Sequence, residues 1–267
     1  MELTIDGIRV TARSEETILN LARENGIFIP TLCHHPALEP FGSCRLCTVE
    51  IVQAKKLKLD TACTHPAEEG MSVTTASTRV RHVRKMILSF LIARCPEVFV
   101  LKELADKMGL KILSLPGENM KDEKCILCGR CVRVCREAIG KQAISFAFRG
   151  EKRMPSSPFG IQSENCIGCT ACEYVCPTGA VTVKKEQKTI YLSPWSTEVP
   201  LLECSNCGSS DSTVKAARHV EEKLNKQLQD SEVKAEETSS LCSKCRRKIA
   251  VQRLEKLPQP KVRGFEK

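Results

Sequence analysis

The chain has 267 residues, 17 cysteines, a formal net charge of +9 and an aromatic content of only 4%. That length holds two or three small domains. Its longest apolar stretch, residues 86–93, is far too short to span a bilayer, and the opening MELTIDGIRV alternates in polarity where a secretory signal would be continuously apolar. Thiols in such a context read as metal ligands in a reducing compartment, so a cytoplasmic protein with no membrane span is expected.

Residues 1–76 read as a small β-rich domain. Two short apolar runs, 3–5 and 8–10, flank Asp6-Gly7, a tight-hairpin signal. Ser14, Glu15 and Glu16 open a helix with Ile18, Leu19 and Ala22 on its apolar face and Gly26 at its end. A further strand is expected over residues 46–52. Four cysteines, Cys33, Cys44, Cys47 and Cys63, follow with ten, two and fifteen intervening residues. A long loop, a close pair and a distant fourth thiolate suit a 2Fe–2S cluster, and four cysteines suit zinc as well. His34, His35 and His65 each lie next to or near a cysteine and are read as loop residues that hydrogen-bond backbone or water.

Residues 77–112 predict two helices that pack between cluster domains. Val80, Val83, Ile87, Phe90 and Leu91 form one face of the first. Cys95-Pro96 breaks it, and a second runs over residues 97–108 with Gly109 at its end. Cys95 has no partner cysteine nearby and reads as a small buried apolar residue.

Residues 113–185 carry the strongest signal. Cys125, Cys128, Cys131 and Cys135, then Cys166, Cys169, Cys172 and Cys176 before Pro177, repeat a spacing of two, two and three residues. This is the bacterial-ferredoxin pattern for two cubane 4Fe–4S clusters, in which the fourth cysteine of each run ligates the other cluster. The expected ligand sets are therefore Cys125, Cys128, Cys131 and Cys176 for the first cluster, and Cys135, Cys166, Cys169 and Cys172 for the second. Gly129 and Gly168 sit where the ligand loops must turn tightly. Arg130, Arg133 and Arg136 crowd the first run, either raising that cluster's potential or serving as surface charge. A strand is expected at 181–183.

Residues 186–267 form a different module. Cys204-Ser-Asn-Cys207 and Cys242-Ser-Lys-Cys245 are two knuckle-like pairs separated by 34 residues. Four converging thiolates suit a closed zinc site or a third 4Fe–4S cluster. The interval carries a charged helix with Val214, Ala217, Val220, Leu224 and Leu228 on one face, and the basic tail after Arg246 is expected to be flexible or partner-bound. Three clusters and one zinc would contribute roughly −8 with their thiolates, offsetting most of the +9. The basic residues thus read as compensation for anionic cofactors, and no nucleic-acid partner is expected.

Cys33-His-His-Pro, the segment Gly42-Ser-Cys44-Arg-Leu-Cys47-Thr-Val-Glu50, the Cys125–Cys135 run and Cys176-Pro-Thr-Gly-Ala180 together resemble the iron–sulfur subunits of the complex I and NAD-reducing hydrogenase group. The resemblance covers about residues 1–185. It implies an α+β chain built from a β-grasp 2Fe–2S domain, a helical linker, a dicluster ferredoxin domain and, outside the resemblance, the four-cysteine module. It implies that Cys33, Cys44, Cys47 and Cys63 hold the 2Fe–2S cluster. The family's intermediate cluster, held by one histidine and three cysteines, has only Cys95 at the corresponding place and is expected to be absent.

With no dinucleotide fingerprint, phosphate loop or nucleophilic triad, the chain is expected to be non-catalytic. It would relay electrons in a hetero-oligomeric, flavin-dependent NAD(P)H oxidoreductase complex of bifurcating transhydrogenase, hydrogenase or formate dehydrogenase type. The resemblance places the flavin, FMN or FAD, on an NAD(P)H-binding partner, with a second redox subunit or ferredoxin at the other end. The alternative is a stand-alone multi-cluster ferredoxin or a redox-sensing zinc-ribbon adaptor.

Overall fold

A computed structural model describes residues 1–113, 123–227 and 240–256. The chain divides into two compact units that do not follow sequence order. Met1–Gly160 and Ala171–Thr182 form the first, and Ile161–Thr170 with Val183–Lys267 forms the second.

The first unit begins with a five-stranded sheet. Strands β1 (Glu2–Ile5), β2 (Ile8–Thr11), β3 (Thr48–Gln53), β4 (Lys56–Thr61) and β5 (Ser72–Thr74) are ordered β2-β1-β5-β3-β4. Only β1 and β5 are parallel. Asp6 and Gly7 both take positive φ, the geometry of a two-residue hairpin turn. The Asp6 carboxylate then accepts from the Thr75 backbone N–H at 2.7 Å and its hydroxyl at 2.6 Å, fastening the end of β5 to that turn. Helix α1 (Ile18–Glu24) lays Ile18, Leu19, Leu21 and Ala22 on the sheet against Leu3, Ile5, Val49, Ile51 and Val73. Its N-cap is Thr17, whose hydroxyl accepts from Asn20 N, so the helix starts one turn later than Ser14 suggested. Each fully buried Ile or Leu there contributes roughly 1.5–3 kcal/mol.

Helices α2 (Thr78–Arg94) and α3 (Phe99–Lys107) follow. Ser77 caps α2 through a bond from Val80 N. Its buried face is rotated from the expected one: Val80, Arg84, Leu88 and Ser89 are buried, whereas Phe90 is 59% exposed. The reason is Arg84, which donates to the carbonyls of Leu46 at 3.0 Å and Thr48 at 2.9 Å and so can enter the interior. Burial holds its pKa down to about 10, which leaves it cationic at neutral pH. Leu88, Leu101, Ala105 and Cys95 join Leu32, Leu46 and Ile126 in a second apolar cluster beneath two cysteine loops. The rest of the unit is short: helix α4 (Arg130–Arg133) running into a wide turn over Val134–Ala138, the ribbon β6 (Ser145–Ala147) and β7 (Met154–Ser156), and helix α5 (Ala171–Tyr174).

The second unit holds the three-stranded sheet β10-β9-β8, of strands β8 (Thr182–Glu186), β9 (Thr189–Ser193) and β10 (Thr197–Pro200), with β8 starting at the unit boundary. Ile190, Leu192, Trp195 and Val199 are buried on it. Helices α6 (Val214–Gln227) and α7 (Ser243–Lys256) complete the unit. Of the expected apolar face on α6, Ala217 is buried while Val220 is 46% exposed, and Leu228 lies outside the described residues. The tail after Arg246, expected to be flexible or partner-bound, is helical as far as Lys256, and residues 257–267 lie outside the described residues. Among the described residues no helix is long and apolar enough to cross a membrane.

Candidate metal centres

Cys33, Cys44, Cys47 and Cys63 are all buried. Cys33 lies within the long segment between α1 and β3, Cys44 and Cys47 lie at its end just before β3, and Cys63 follows β4. They fall into two thiol pairs. A hydrogen bond from Cys44 holds the Cys33 thiol down to about 6 and pushes the Cys44 thiol up. Cys47 and Cys63 divide in the same way, Cys47 raised and Cys63 lowered by the bond they share. The pairs are within electrostatic reach of each other, since Cys33 acts on both Cys47 and Cys63. The Cys44 backbone N–H points at Cys33 Sγ, 3.3 Å away. Two thiol pairs with amide donors aimed at sulfur form a donor set that fits a two-iron core.

The three histidines beside these cysteines bond to protein groups. His34 Nδ1 meets the Arg23 guanidinium at 3.2 Å, and His35 Nδ1 accepts from Ala37 N. His65 bonds Pro66 O through Nδ1 and the Lys58 ammonium through Nε2, each at 2.7 Å. Cys95 caps α2, is fully buried, and has its thiol pushed up to about 12 by that burial.

Cys125, Cys128, Cys131 and Cys176 lie together in the first unit. Burial raises the thiols of Cys125, Cys128 and Cys131, that of Cys128 to about 11, and Cys176 adds to the rise at both Cys125 and Cys128. Gly129 takes φ +74 at the N-cap of α4, and a Cβ there would stand 3.3 Å from the Phe41 ring. Arg94, from the last turn of α2, donates to Cys125 O at 3.0 Å and pairs with Glu123, whose carboxylate also accepts from Cys125 N. Of the remaining ferredoxin-type cysteines, Cys135 and Cys172 belong to the first unit and Cys166 and Cys169 to the second. Cys135 Sγ accepts from Ala143 N at 3.3 Å.

Two arginines on either side of Cys131 tie the cysteine loops of the first unit together. Arg133, 2% exposed, donates to Cys33 O at 2.5 Å and to Glu39 O, while Arg130 donates to His34 O and to Val175 O. The Ser43 hydroxyl donates to Leu127 O at 3.2 Å, so the residue before Cys44 touches the residue before Cys128. Arg130 lies within electrostatic reach of Cys128, Cys33 and Cys44 at once. The Nε atoms of both arginines are buried with no acceptor among the described residues, as suits neighbours of an anionic core. Sequence reasoning had found Arg130, Arg133 and Arg136 without separating them; only Arg136 is a surface group, paired with Glu137. The available signal was the three-residue step from Arg130 to Arg133 around a ligand-type cysteine.

In the second unit Cys204, Cys207, Cys242 and Cys245 offer four sulfurs all within 4.8 Å of one another. Cys204 and Cys242 are held low, Cys204 to about 6 by a hydrogen bond from the Cys242 backbone N–H and Cys242 by the Ser209 hydroxyl.

Comparison with known proteins agrees with this architecture. Residues 1–78 match the family described as a 2Fe-2S iron-sulfur cluster binding domain, and residues 124–180 match a 4Fe-4S dicluster domain. The chain is 32% identical over 206 residues to the NADPH-Fe(3+) oxidoreductase subunit alpha of Geobacter sulfurreducens, covering 69% of this chain and 24% of that protein. It is 25% identical over 213 residues to the NAD-reducing hydrogenase HoxS subunit gamma of Cupriavidus necator, covering 69% of this chain and 88% of that one. A crystal structure of an NAD+-reducing [NiFe]-hydrogenase in the H2-reduced state aligns with a TM-score of 0.50 and 28% identity, over 58% of this chain and 74% of its own. The chain thus spans about a quarter of the length of the first of these relatives. With 2Fe–2S and 4Fe–4S domains in this order and relatives of these kinds, the chain belongs with the iron–sulfur subunits of the complex I and NAD-reducing hydrogenase group.

Proposed function

We propose that the chain is a non-catalytic electron-relay subunit of a cytoplasmic, flavin-dependent NAD(P)H oxidoreductase complex. Cys33, Cys44, Cys47 and Cys63 would hold a 2Fe–2S cluster on a β-grasp domain, a reading supported by the sheet order β2-β1-β5-β3-β4 under α1. Cys125, Cys128, Cys131 and Cys176 would hold one 4Fe–4S cluster and Cys135, Cys166, Cys169 and Cys172 a second, with zinc at the C-terminal cysteines. Bound clusters supply acceptance and release of single electrons. Hydride chemistry belongs to a flavin, assigned here to an NAD(P)H-binding partner, with a second redox subunit or ferredoxin as the other electron partner in a bifurcating, hydrogenase or formate dehydrogenase type of assembly.

The observation that carries the reading is the direct contact between the first two cysteine loops. Arg130 and Arg133 hold one loop's carbonyls from the other loop's helix, so the two ligand sets keep a fixed spacing. Their positive charge favours the anionic reduced state at both sites. The test is reconstitution with a candidate flavoprotein partner. NAD(P)H-dependent dye reduction that needs both chains supports a relay; equal activity from this chain alone overturns it, and a stable monomer indifferent to the flavoprotein favours a stand-alone ferredoxin.

A further inference from the structure

The loop Ile161–Thr170, which carries Cys166 and Cys169, belongs to the second unit and is fixed there by several contacts. The buried Thr213 hydroxyl donates to Ile167 O while accepting from Ala216 N as the cap of α6. Gly168, at φ +66, lies so close to the unit's interior that a Cβ would come within 2.9 Å of Ile190 Cδ1 and Thr213 Cγ2. The Gln162 amide pairs with the backbone of Glu198, its Nε2 donating to the carbonyl at 2.7 Å.

Thr213 is in turn the last residue of a hairpin whose turn is the first cysteine knuckle. Leu201 bridges Thr213, Leu202 N donates to Ser212 O at 2.7 Å, and Cys204 N donates to Ser209 O at 3.0 Å. Among the described residues the second knuckle closes on this hairpin through Ser205, whose N and hydroxyl donate to Ser240, through the Ser243 hydroxyl to Asp211, and through the Asn206 amide to Cys245 Sγ. Among the described residues the local apolar cluster consists of Cys204, Cys242, Cys245 and Leu241. Four residues, three of them thiols, are too small a core to hold a helix onto a hairpin. An ion bound by the sulfurs would supply the missing stability.

Sulfur spacing separates a single tetrahedral ion from a cubane. Tetrahedral zinc at about 2.3 Å from each sulfur sets adjacent sulfurs about 3.8 Å apart, and Cys207 Sγ lies 3.7 Å from Cys242 Sγ. A cubane places four irons and four sulfides inside its ring of thiolates and needs them spread well beyond the 4.8 Å limit found here.

We infer that Cys204, Cys207, Cys242 and Cys245 hold a single tetrahedral zinc ion, and that this ion works as a strut. By fixing the hairpin that ends at Thr213 it fixes the carbonyl of Ile167 and the turn at Gly168, and with them the positions of Cys166 and Cys169. The inference rests on the reading of those two cysteines as ligands of a 4Fe–4S cluster.

The experiment uses the full chain, purified anaerobically, with metal analysis and electron paramagnetic resonance after dithionite. Wild type should hold about ten irons and one zinc. Replacing both Cys207 and Cys245 by Ser should remove the zinc and also about four irons, with the 2Fe–2S signal kept. Thr213→Val, which touches no proposed zinc ligand, should keep the zinc and still lose or alter one cubane signal, and Thr213→Ser should restore it. A zinc-free double variant with all its iron and unchanged cubane signals overturns the strut, as does Thr213→Val with wild-type signals. About fourteen irons and no zinc in wild type overturns the single-ion site. One zinc with no iron overturns the strut together with the relay reading, and that pattern is distinct from all the others.

Discussion

The N-terminal sheet and the C-terminal knuckles both gather four thiols, by opposite means. In the sheet, Cys47 and Cys63 are the rim of a core that contains Ile5, Ile18, Leu19, Ile51 and Val73, all essentially inaccessible to solvent. In the knuckles the thiols themselves are most of the core among the described residues. On the readings proposed above, the first region would position ligands before any metal arrives, and the second would depend on its metal to become a structure. The difference predicts a preorganised site and a metal-folded site on one chain, which metal removal should tell apart.

The largest effect is expected there. Binding of zinc to four-thiolate sites in small peptides is worth roughly 10–16 kcal/mol at neutral pH, far more than the hydrogen bonds closing these knuckles. A strong chelator should therefore abolish amide protection in α7 and over residues 204–213, while the amides of β1, β3 and β5 stay protected. Hydrogen exchange read by mass spectrometry checks this. Equal loss in both regions would mean that the sheet also depends on metal and would erase the contrast.

Within the first of these regions, Ile51→Ala should cost about 2–5 kcal/mol, because β3 is an interior strand paired on both sides and Ile51 is fully buried. A urea titration that leaves the slope unchanged and lowers the midpoint would place the loss in native packing. A smaller effect, about 3 kcal/mol, is expected for Arg133→Met, which deletes two charge-assisted hydrogen bonds to Cys33 O and Glu39 O. It should also lower the reduction potential of the 2Fe–2S site. Arg133→Lys keeps the charge without the two-pronged donor, so it should recover more of the potential than of the stability. A redox titration followed by electron paramagnetic resonance, beside the urea curve, separates the two.

Local chemistry was legible in the sequence wherever one residue type has one physical use. Asp6-Gly7 specified its turn because both positions need positive φ; the cysteine spacing named the dicluster domain, and the family resemblance carried by residues 33–36 and 42–50 named the 2Fe–2S domain. What hydropathy could not reveal was charge inside the protein. Arg84 and Arg133 read as polar, yet each enters the interior, and Arg130 is half-buried beside them, by donating to backbone carbonyls that only the folded chain brings near. The rotation of α2 follows from the same cause, since its buried face is chosen partly by Arg84, which an apolar pattern skips. Helix α7 was hidden differently. Its run of Lys and Arg carries almost no amphipathic signal, and its start is set by the knuckle, where Cys245 N donates to Cys242 Sγ at 3.4 Å.

The smallest expected effects compare two helix caps in the first unit. Thr17 caps α1 through Asn20 N, and Ser77 caps α2 through Val80 N. Replacing a capping hydroxyl by Ala costs about 1 kcal/mol, but the caps differ in what else they hold. The Ser77 hydroxyl also donates to the Glu50 carboxylate on β3 at 3.0 Å, linking helix to sheet, whereas Thr17 meets the chain elsewhere through a backbone bridge to Pro66 that survives the substitution. Ser77→Ala should therefore destabilise the first unit more than Thr17→Ala. A Glu50→Gln background should shrink the gap, because the neutral amide is a weaker acceptor. A double-mutant cycle on urea midpoints measures it: a coupling near zero between Ser77 and Glu50 would reduce both caps to the same local role.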